Sequence, residues 1–226
     1  PSKMATDLLN LHGKNQVRTI QYVTFECDNL ESHLCEILNC SKSKITRNDL
    51  TQIDILVARN KNITSLKGIE HATKLKKIDF GVNQIKSIAP LISILGLEKV
   101  VLAKNQIQEL SGIEQLKNLT ELNFRDNPLD HIKPLEQLIH LKNLVLTNVP
   151  VHNFNPISNL KNLELLSLGW SFDYESMDNF CSDELYEILQ KLRNLKQLHL
   201  GEEPISQSQI LKLRKKLPNC LIPDNH

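Results

Sequence analysis

Leu75, Leu97, Leu119, Leu141 and Leu163 stand 22 residues apart, without a slip, through the middle of the chain. A period of that length is neither the 3.6 of a lone helix nor the 2 of a strand; it marks a supersecondary unit that recurs. Such a unit cannot bury its own apolar face, so it must stack on its neighbours. The chain is therefore expected to form an elongated array.

With Leu119 as position one, the unit LTELNFRDNPLDHIKPLEQLIH places apolar residues at Leu122, Phe124, Leu129, Ile132, Leu135 and Leu138. The same places hold Ile78, Phe80, Ile85, Ile88, Leu91 and Ile94 two units earlier, and Val100, Leu102, Ile107, Leu110, Ile113 and Leu116 between them. An earlier unit starts at Ile53 and a later one at Leu195. Alternation in the first third of the unit predicts a short strand, positions four and six facing the core and three, five and seven facing out. Asn83, Asn105 and Asn127 fill position nine, where a side-chain amide can satisfy backbone groups as the chain leaves the strand. Gly68, Pro90, Gly112, Pro134 and Pro156 recur at position 16, which suits the opening of a short 3₁₀ or helical turn.

The pattern resembles the leucine-rich repeat family, whose core is L-x-x-L-x-L-x-x-N-x-L. The 22-residue length and the I-x-x-L-x-x-L second half are similar to the SDS22-like and internalin-like class, over roughly residues 53 to 205. The resemblance implies an α/β solenoid: a curved parallel sheet on the concave face, short 3₁₀ or helical turns on the convex face, and a protein-binding role. It also admits a bacterial effector or surface protein that engages a host protein.

The interval from Leu163 to Leu195 is 32 residues, ten more than the rule, and the extra residues fall near 171 to 180. Position nine has already lost its asparagine there, becoming Val149, Ser171 and Glu203. The segment is acidic: Asp173, Glu175, Asp178, Asp183, Glu184 and Glu187 carry −6, so the remainder carries +7 against a total of +1.

A solenoid exposes its core at both ends and needs caps. Residues 1–52 are expected to supply one, with a strand near Tyr22 and a short helix opened by a capping box at Asp28 to Glu31, its apolar face made of Leu30, Leu34, Ile37 and Leu38. The repeats occupy 53–205, and 206–226 reads as a final amphipathic helix with Ile210, Leu213 and Leu217 inward, stopped by Pro218.

Composition narrows the functional classes. Aromatics are only 4% of 226 residues and the net charge is +1, with no basic stripe or stacking series for nucleic acid. No apolar run of about 18 residues is present to span a bilayer. Five irregularly spaced cysteines favour reduced thiols in a cytosol, with translocation into a host cell in the effector reading. No phosphate-binding glycine loop, G-x-S-x-G elbow or H-E-x-x-H occurs. Cys27, His33, Cys35 and Cys40 lack paired metal-ligand spacing, and the acidic residues around Cys181 oppose the thiolate that a nucleophile paired with His199 would need. A cysteine-dependent enzyme is thus the disfavoured alternative; no cofactor, metal or catalytic residue is expected.

What remains is a face. Position three carries Ile55, Lys77, Lys99, Glu121, Asn143, Leu165 and Gln197; position five carries Val57, Asp79, Val101, Asn123, Val145, Ser167 and His199; position seven includes Gly81, Ala103, Arg125, Thr147 and Gly169. Lys77, Asp79, Lys99, Val101, Glu121, Asn123, Arg125, Asn143, Val145, Thr147, Leu165 and His199 are the expected contacts for one protein partner in a hetero-complex, which the chain would join as a monomer. Trp170, Phe172, Asp173 and Tyr174 extend them into the insertion, where Trp170 and Phe172 either anchor the partner or cover the gap left by the irregular unit. With no effector domain in view, steric covering of the partner is the expected mechanism. Trp170→Ala and Arg125→Glu are each expected to weaken binding.

Overall fold

A computed structural model describes residues 20–169, 182–201 and 205–223. Seven strands of three residues each, β1 (Ile55–Val57), β2 (Lys77–Asp79), β3 (Lys99–Val101), β4 (Glu121–Asn123), β5 (Asn143–Val145), β6 (Leu165–Ser167) and β7 (Gln197–His199), form one parallel sheet in chain order. Partners across the first five pairs are 22 residues apart, as in Ile55↔Lys77 and Asn143↔Leu165. Across β6 and β7 the partners Leu165 and Gln197 are 32 apart, yet position three still faces position three. The longer interval thus leaves the register of the sheet unchanged.

The inward ring closes as the spacing requires. In the unit opened by Leu119, the side chains of Leu119, Leu122, Phe124, Leu129, Ile132, Leu135 and Leu138 are all at most 2% exposed. Stacked rings form one continuous apolar core from Val23 to Ile222.

The asparagine ladder holds consecutive rings together. Asn105 Nδ2 donates to the carbonyls of Phe80 (3.0 Å) and Leu102 (2.9 Å), and its Oδ1 accepts from Ile85 N–H (3.0 Å). Asn83 and Asn127 repeat the arrangement one unit to either side. Each amide therefore satisfies buried groups of two units at once, which is why a polar residue belongs at a buried position. Where the ladder stops, buried Val149 offers no acceptor to the Leu129 N–H that an asparagine there would take.

The convex layer consists of 3₁₀ turns, η1 (Ile69–His71), η2 (Ala89–Leu91), η3 (Ile113–Gln115), η4 (Lys133–Gln137) and η5 (Asn155–Asn159). They open in two ways. Pro90, Pro134 and Pro156 start η2, η4 and η5, whereas Gly68 and Gly112 precede η1 and η3 at φ 102° and 93°. After each glycine a glutamate reaches back: Glu70 accepts from Gly68 N–H at 2.6 Å and Glu114 from Gly112 N–H at 2.9 Å.

In the long unit the convex turn is instead an α-helix, labelled α3 below (Ser182–Leu189), with Leu185, Ile188 and Leu189 buried. The N-terminal end is closed by α1 (Asp28–Leu38) and α2 (Arg47–Leu50), the C-terminal end by α4 (Gln207–Lys216). In α4, Ile210 and Leu213 are buried, and buried Leu217 ends the helix just before Pro218.

Three local expectations need correction. The helix α1 has Cys27 at its N-cap with no side-chain cap, so Asp28 and Glu31 form no capping box; the boxes are Thr46 with Asp49 and Ser206 with Gln209. Its buried face is Leu30, Leu34 and Cys35, and Ile37 points to solvent at 47% exposure. Tyr22 pairs with Thr46 in an isolated antiparallel bridge and stands apart from the seven-stranded sheet, because the chain doubles back there before the first parallel unit begins.

Candidate protein-binding face

Positions three and five of the seven strands stand side by side on the concave surface, about 30 Å from β1 to β7 at the ordinary interstrand spacing. The structure thus gathers Lys77, Asp79, Lys99, Val101, Glu121, Asn123, Asn143, Val145, Leu165 and His199 on one face, all half-buried or exposed. Arg125 and Thr147 adjoin them at position seven. Trp170, Phe172, Asp173 and Tyr174 lie outside the described residues, as does the 171–180 segment.

Most of the charges on this face already engage one another, two of the pairs across neighbouring units and one between adjacent residues. Arg59 grips both carboxylate oxygens of Asp79 at 3.1 and 3.2 Å. Lys99 Nζ lies 2.6 Å from Glu121. Arg125 Nε donates to Asp126 at 3.1 Å, and Asn148 Nδ2 meets the other oxygen of that carboxylate at 2.6 Å. Thr147 and Ser167 share a hydroxyl contact of 2.8 Å. Exposed pairs of this kind add little stability, but they cancel the local field and leave a surface of low net charge. Lys77 is exposed and has no ion-pair partner among the described residues.

Between the pairs lie apolar side chains. Val101, Val145 and Leu165 are half-exposed, while Ile55 and Val57 on β1 are 53% and 54% exposed. The latter two belong to the face and were not singled out as contacts from the sequence. The available signal was that β1 alone among the seven strands carries aliphatic residues at both outward positions.

Position seven is lower and more crowded than its outward orientation suggests. Gly81 is buried beneath the Arg59 guanidinium, and a Cβ there would come within 2.5 Å of Nη1. Gly169 abuts Gly201, and a Cβ would stand 3.0 Å from its Cα. Position eight is a left-handed turn, with φ of 52° to 60° at Asn60, Val82, Lys104, Asp126 and Asn148.

The acidic run divides. Asp183, Glu184 and Glu187 sit on α3, which packs against η5 in the convex layer, and Glu184 meets Asn155 while Asp183 accepts from Gln209 at 2.7 Å. These three carboxylates therefore do not belong to the concave face. Along one flank, Lys76, Glu98, Lys142, Glu164 and Lys196 at position two form cross-unit ion pairs, with Lys196 holding the Glu164 carboxyl below its ordinary range. Two open, polar hollows of about 480 and 370 Å³ lie along that flank, and Lys142 and Asn162 line both.

Among the described residues no group of three or more His, Cys, Asp or Glu is placed to hold a metal, and no helix is long and apolar enough to cross a membrane.

A one-strand-per-unit parallel sheet, an asparagine ladder behind it and 3₁₀ turns opposite it decide the architecture. The chain has the leucine-rich repeat fold. Solved structures agree. Internalin C2 from Listeria monocytogenes superposes with a TM-score of 0.73 at 24% identity, over 88% of this chain and 83% of that one. Internalin InlF of the same organism gives 0.60 at 20% identity, over 89% and 69%. The functional domain of Listeria InlJ, described as including a cysteine ladder, gives 0.65 at 16% identity, over 92% of this chain and 49% of that one. No protein-family model matches the sequence, and no curated protein does. At 16–24% identity these likenesses are to the fold, a leucine-rich repeat solenoid with one short parallel strand per unit.

Proposed function

We propose that this chain is a non-enzymatic protein-recognition module that binds one protein partner on its concave sheet and regulates it by covering its surface. The observation that carries the reading is the make-up of that sheet: charges paired laterally, with Ile55, Val57, Val101, Val145 and Leu165 interleaved. A face of this kind suits a mixed protein surface, whereas a polyphosphate would need unpaired cations in a row. Its width is enough for a standard interface of about 800 Å² per partner. Lys77, Asn143 and His199 add polar contacts at positions that take part in no ion pair among the described residues.

The test is affinity capture with the intact chain beside a Val145→Asp, Leu165→Asp variant. Both side chains point outward, so folding is expected to be unaffected, while capture of a specific protein falls at least about ten-fold. Equal capture by both chains removes the concave face from the proposal. Arg125→Glu is the weaker probe, since it also sets a new carboxylate beside Asp126.

A second reading, a bacterial effector or surface protein acting on a host protein, is favoured by the likeness to Listeria internalins. Locating the chain in the producing cell's cytosol, on its surface or inside a host cell separates the two. The cytosolic placement rests on the odd number and irregular spacing of the cysteines.

A further inference from the structure

The C-terminal turn of α1 holds two cysteines in a relation that the rest of the fold does not use. Asn39 takes the left-handed conformation at φ 51°, its N–H donates to the Cys35 carbonyl, and the next N–H, that of Cys40, donates to the same carbonyl at 3.1 Å. This is the Schellman closure of a helix, in which the residue just past the left-handed cap folds back over the one five positions earlier. A hydrophobic contact ordinarily links those two side chains. Here both are thiols, and the backbone closure sets them on one turn, the Cys40 N–H bonded to the Cys35 carbonyl.

The surroundings make the pair local and unequal. Cys35 is buried, and Cys40 is half-buried, lying against the edge of the core. Cys27 sits at the opposite end of the same helix, eight residues from Cys35, or about 12 Å at the helical rise, beyond the reach of a disulfide. Cys220 belongs to the far end of the solenoid.

We propose that Cys35 and Cys40 form a dithiol modification site that reacts with small-molecule disulfides and closes to an intramolecular bond across the α1 cap. The more accessible Cys40 reacts first. Its thiolate attacks one sulfur of a disulfide RSSR, forming a Cys40–SR mixed disulfide and releasing RS⁻, which takes up the proton that Cys40 lost. Cys35 then gives up its proton and attacks the Cys40 sulfur, expelling the second RS⁻, which is protonated in turn. Two thiols are oxidised and one RSSR is reduced to two RSH. Burial pushes the Cys35 thiol up to about 11 and so disfavours its thiolate; the second step is helped instead by being intramolecular, since the helix cap holds Cys35 and Cys40 on one turn.

The bond would tie the last turn of α1 to the loop that leads back under the first unit. That loop is already held to the helix by Glu31, which accepts from Ser43 N–H at 2.7 Å, and α1 itself touches the outer edge of the sheet through His33 and the Val57 carbonyl at 2.8 Å. Oxidation therefore stiffens the N-terminal cap next to β1.

The experiment equilibrates the intact chain with mixtures of reduced and oxidised glutathione, quenches with an alkylating agent and maps peptides without reduction. Expected is a peptide containing both Cys35 and Cys40 that is lighter by two hydrogens and carries no label. Cys35→Ser should trap glutathione on Cys40, whereas Cys40→Ser should leave Cys35 unmodified. Hydrogen exchange in residues 28–46 should slow by at least about ten-fold on oxidation. A stable glutathione adduct on Cys40 of the unaltered chain, or bonds to other cysteines or between chains, would overturn the site. An exchange rate in 28–46 unmoved by a formed bond would overturn the stiffening.

Discussion

Asn105 shows how much a single side chain can hold in this fold. Its amide serves three backbone groups belonging to two units, in a place that is 7% exposed. Asn105→Ala leaves those groups buried and unpaired and is expected to destabilise by about 3 kcal/mol, read from denaturant unfolding. Had the residue been a surface asparagine, the loss would be within about 0.5 kcal/mol. Cys220 illustrates a different single-residue effect. Burial pushes its thiol up to about 11, while an unfolded cysteine titrates near 8.5. Between those values the folded chain keeps a proton that the unfolded chain has released, so stability falls as pH rises through that window. The thermal midpoint should drop between about pH 8.5 and about pH 11, and Cys220→Ser should shrink the drop. Ladder residues were legible in the sequence because a recurring polar residue in an apolar frame announces its role. The left-handed position eight was not, because Val82 and Lys104 stand there beside Asn60, Asp126 and Asn148, and only the latter types advertise that conformation.

The convex turns carry the lesson at the next scale. Position 16 accepts either proline or glycine, and the structure gives two physical solutions to one geometric task. Proline starts the 3₁₀ turn by fixing φ; glycine precedes it at a φ that other residues avoid, with a glutamate two residues later capping its N–H. Gly112→Ala should cost about 1–3 kcal/mol, since the added Cβ meets Ile92 Cγ2 at 2.9 Å on a backbone at φ 93°. Pro90→Ala should cost less than about 1 kcal/mol, because alanine adopts the same backbone and only the unfolded chain gains freedom. Thermal unfolding of the two variants side by side checks the contrast. Repeating elements of this kind were readable from spacing, whereas the ends were not: α1 takes a cap from neither Asp28 nor Glu31, and its outward Ile37 breaks the face that heptad-like spacing suggested. The end segments pack against only one neighbouring unit, so their pattern is set by a single contact surface in place of a period. Asn118, Asn162 and Asn194 show what periodicity alone overlooks. Each precedes a position-one leucine and donates to a carbonyl on the preceding unit, Leu95, Ile139 and Lys161, at 2.8 to 2.9 Å. The Asn-Leu pair was visible, but nothing in its spacing distinguished it from surface filling.

At the scale of the whole molecule the array is uneven. The asparagine ladder links the units of β1 to β4, and in the next unit the apolar side chain of Val149 occupies its track. Solenoids open by nearest-neighbour steps, so the weaker linkage should open first. Native-state hydrogen exchange is expected to be slowest in β2 to β4 and faster in β6 and β7; equal protection along the array would contradict this. The two sheet edges also differ. Beyond β7, Leu221 adds a parallel bridge, with Leu198 N–H donating to it at 2.9 Å, while β1 is met by the side chain of His33.

The register itself reaches beyond folding. Because β1 through β6 align residue for residue at a constant offset, any unit presents to its neighbours nearly the same surfaces as any other. Recombination within the coding sequence that gains or drops one whole unit leaves the frame of every remaining contact intact. The reach of the binding face can therefore change over generations in steps of one strand, about 4.8 Å each, without passing through a chain that fails to fold.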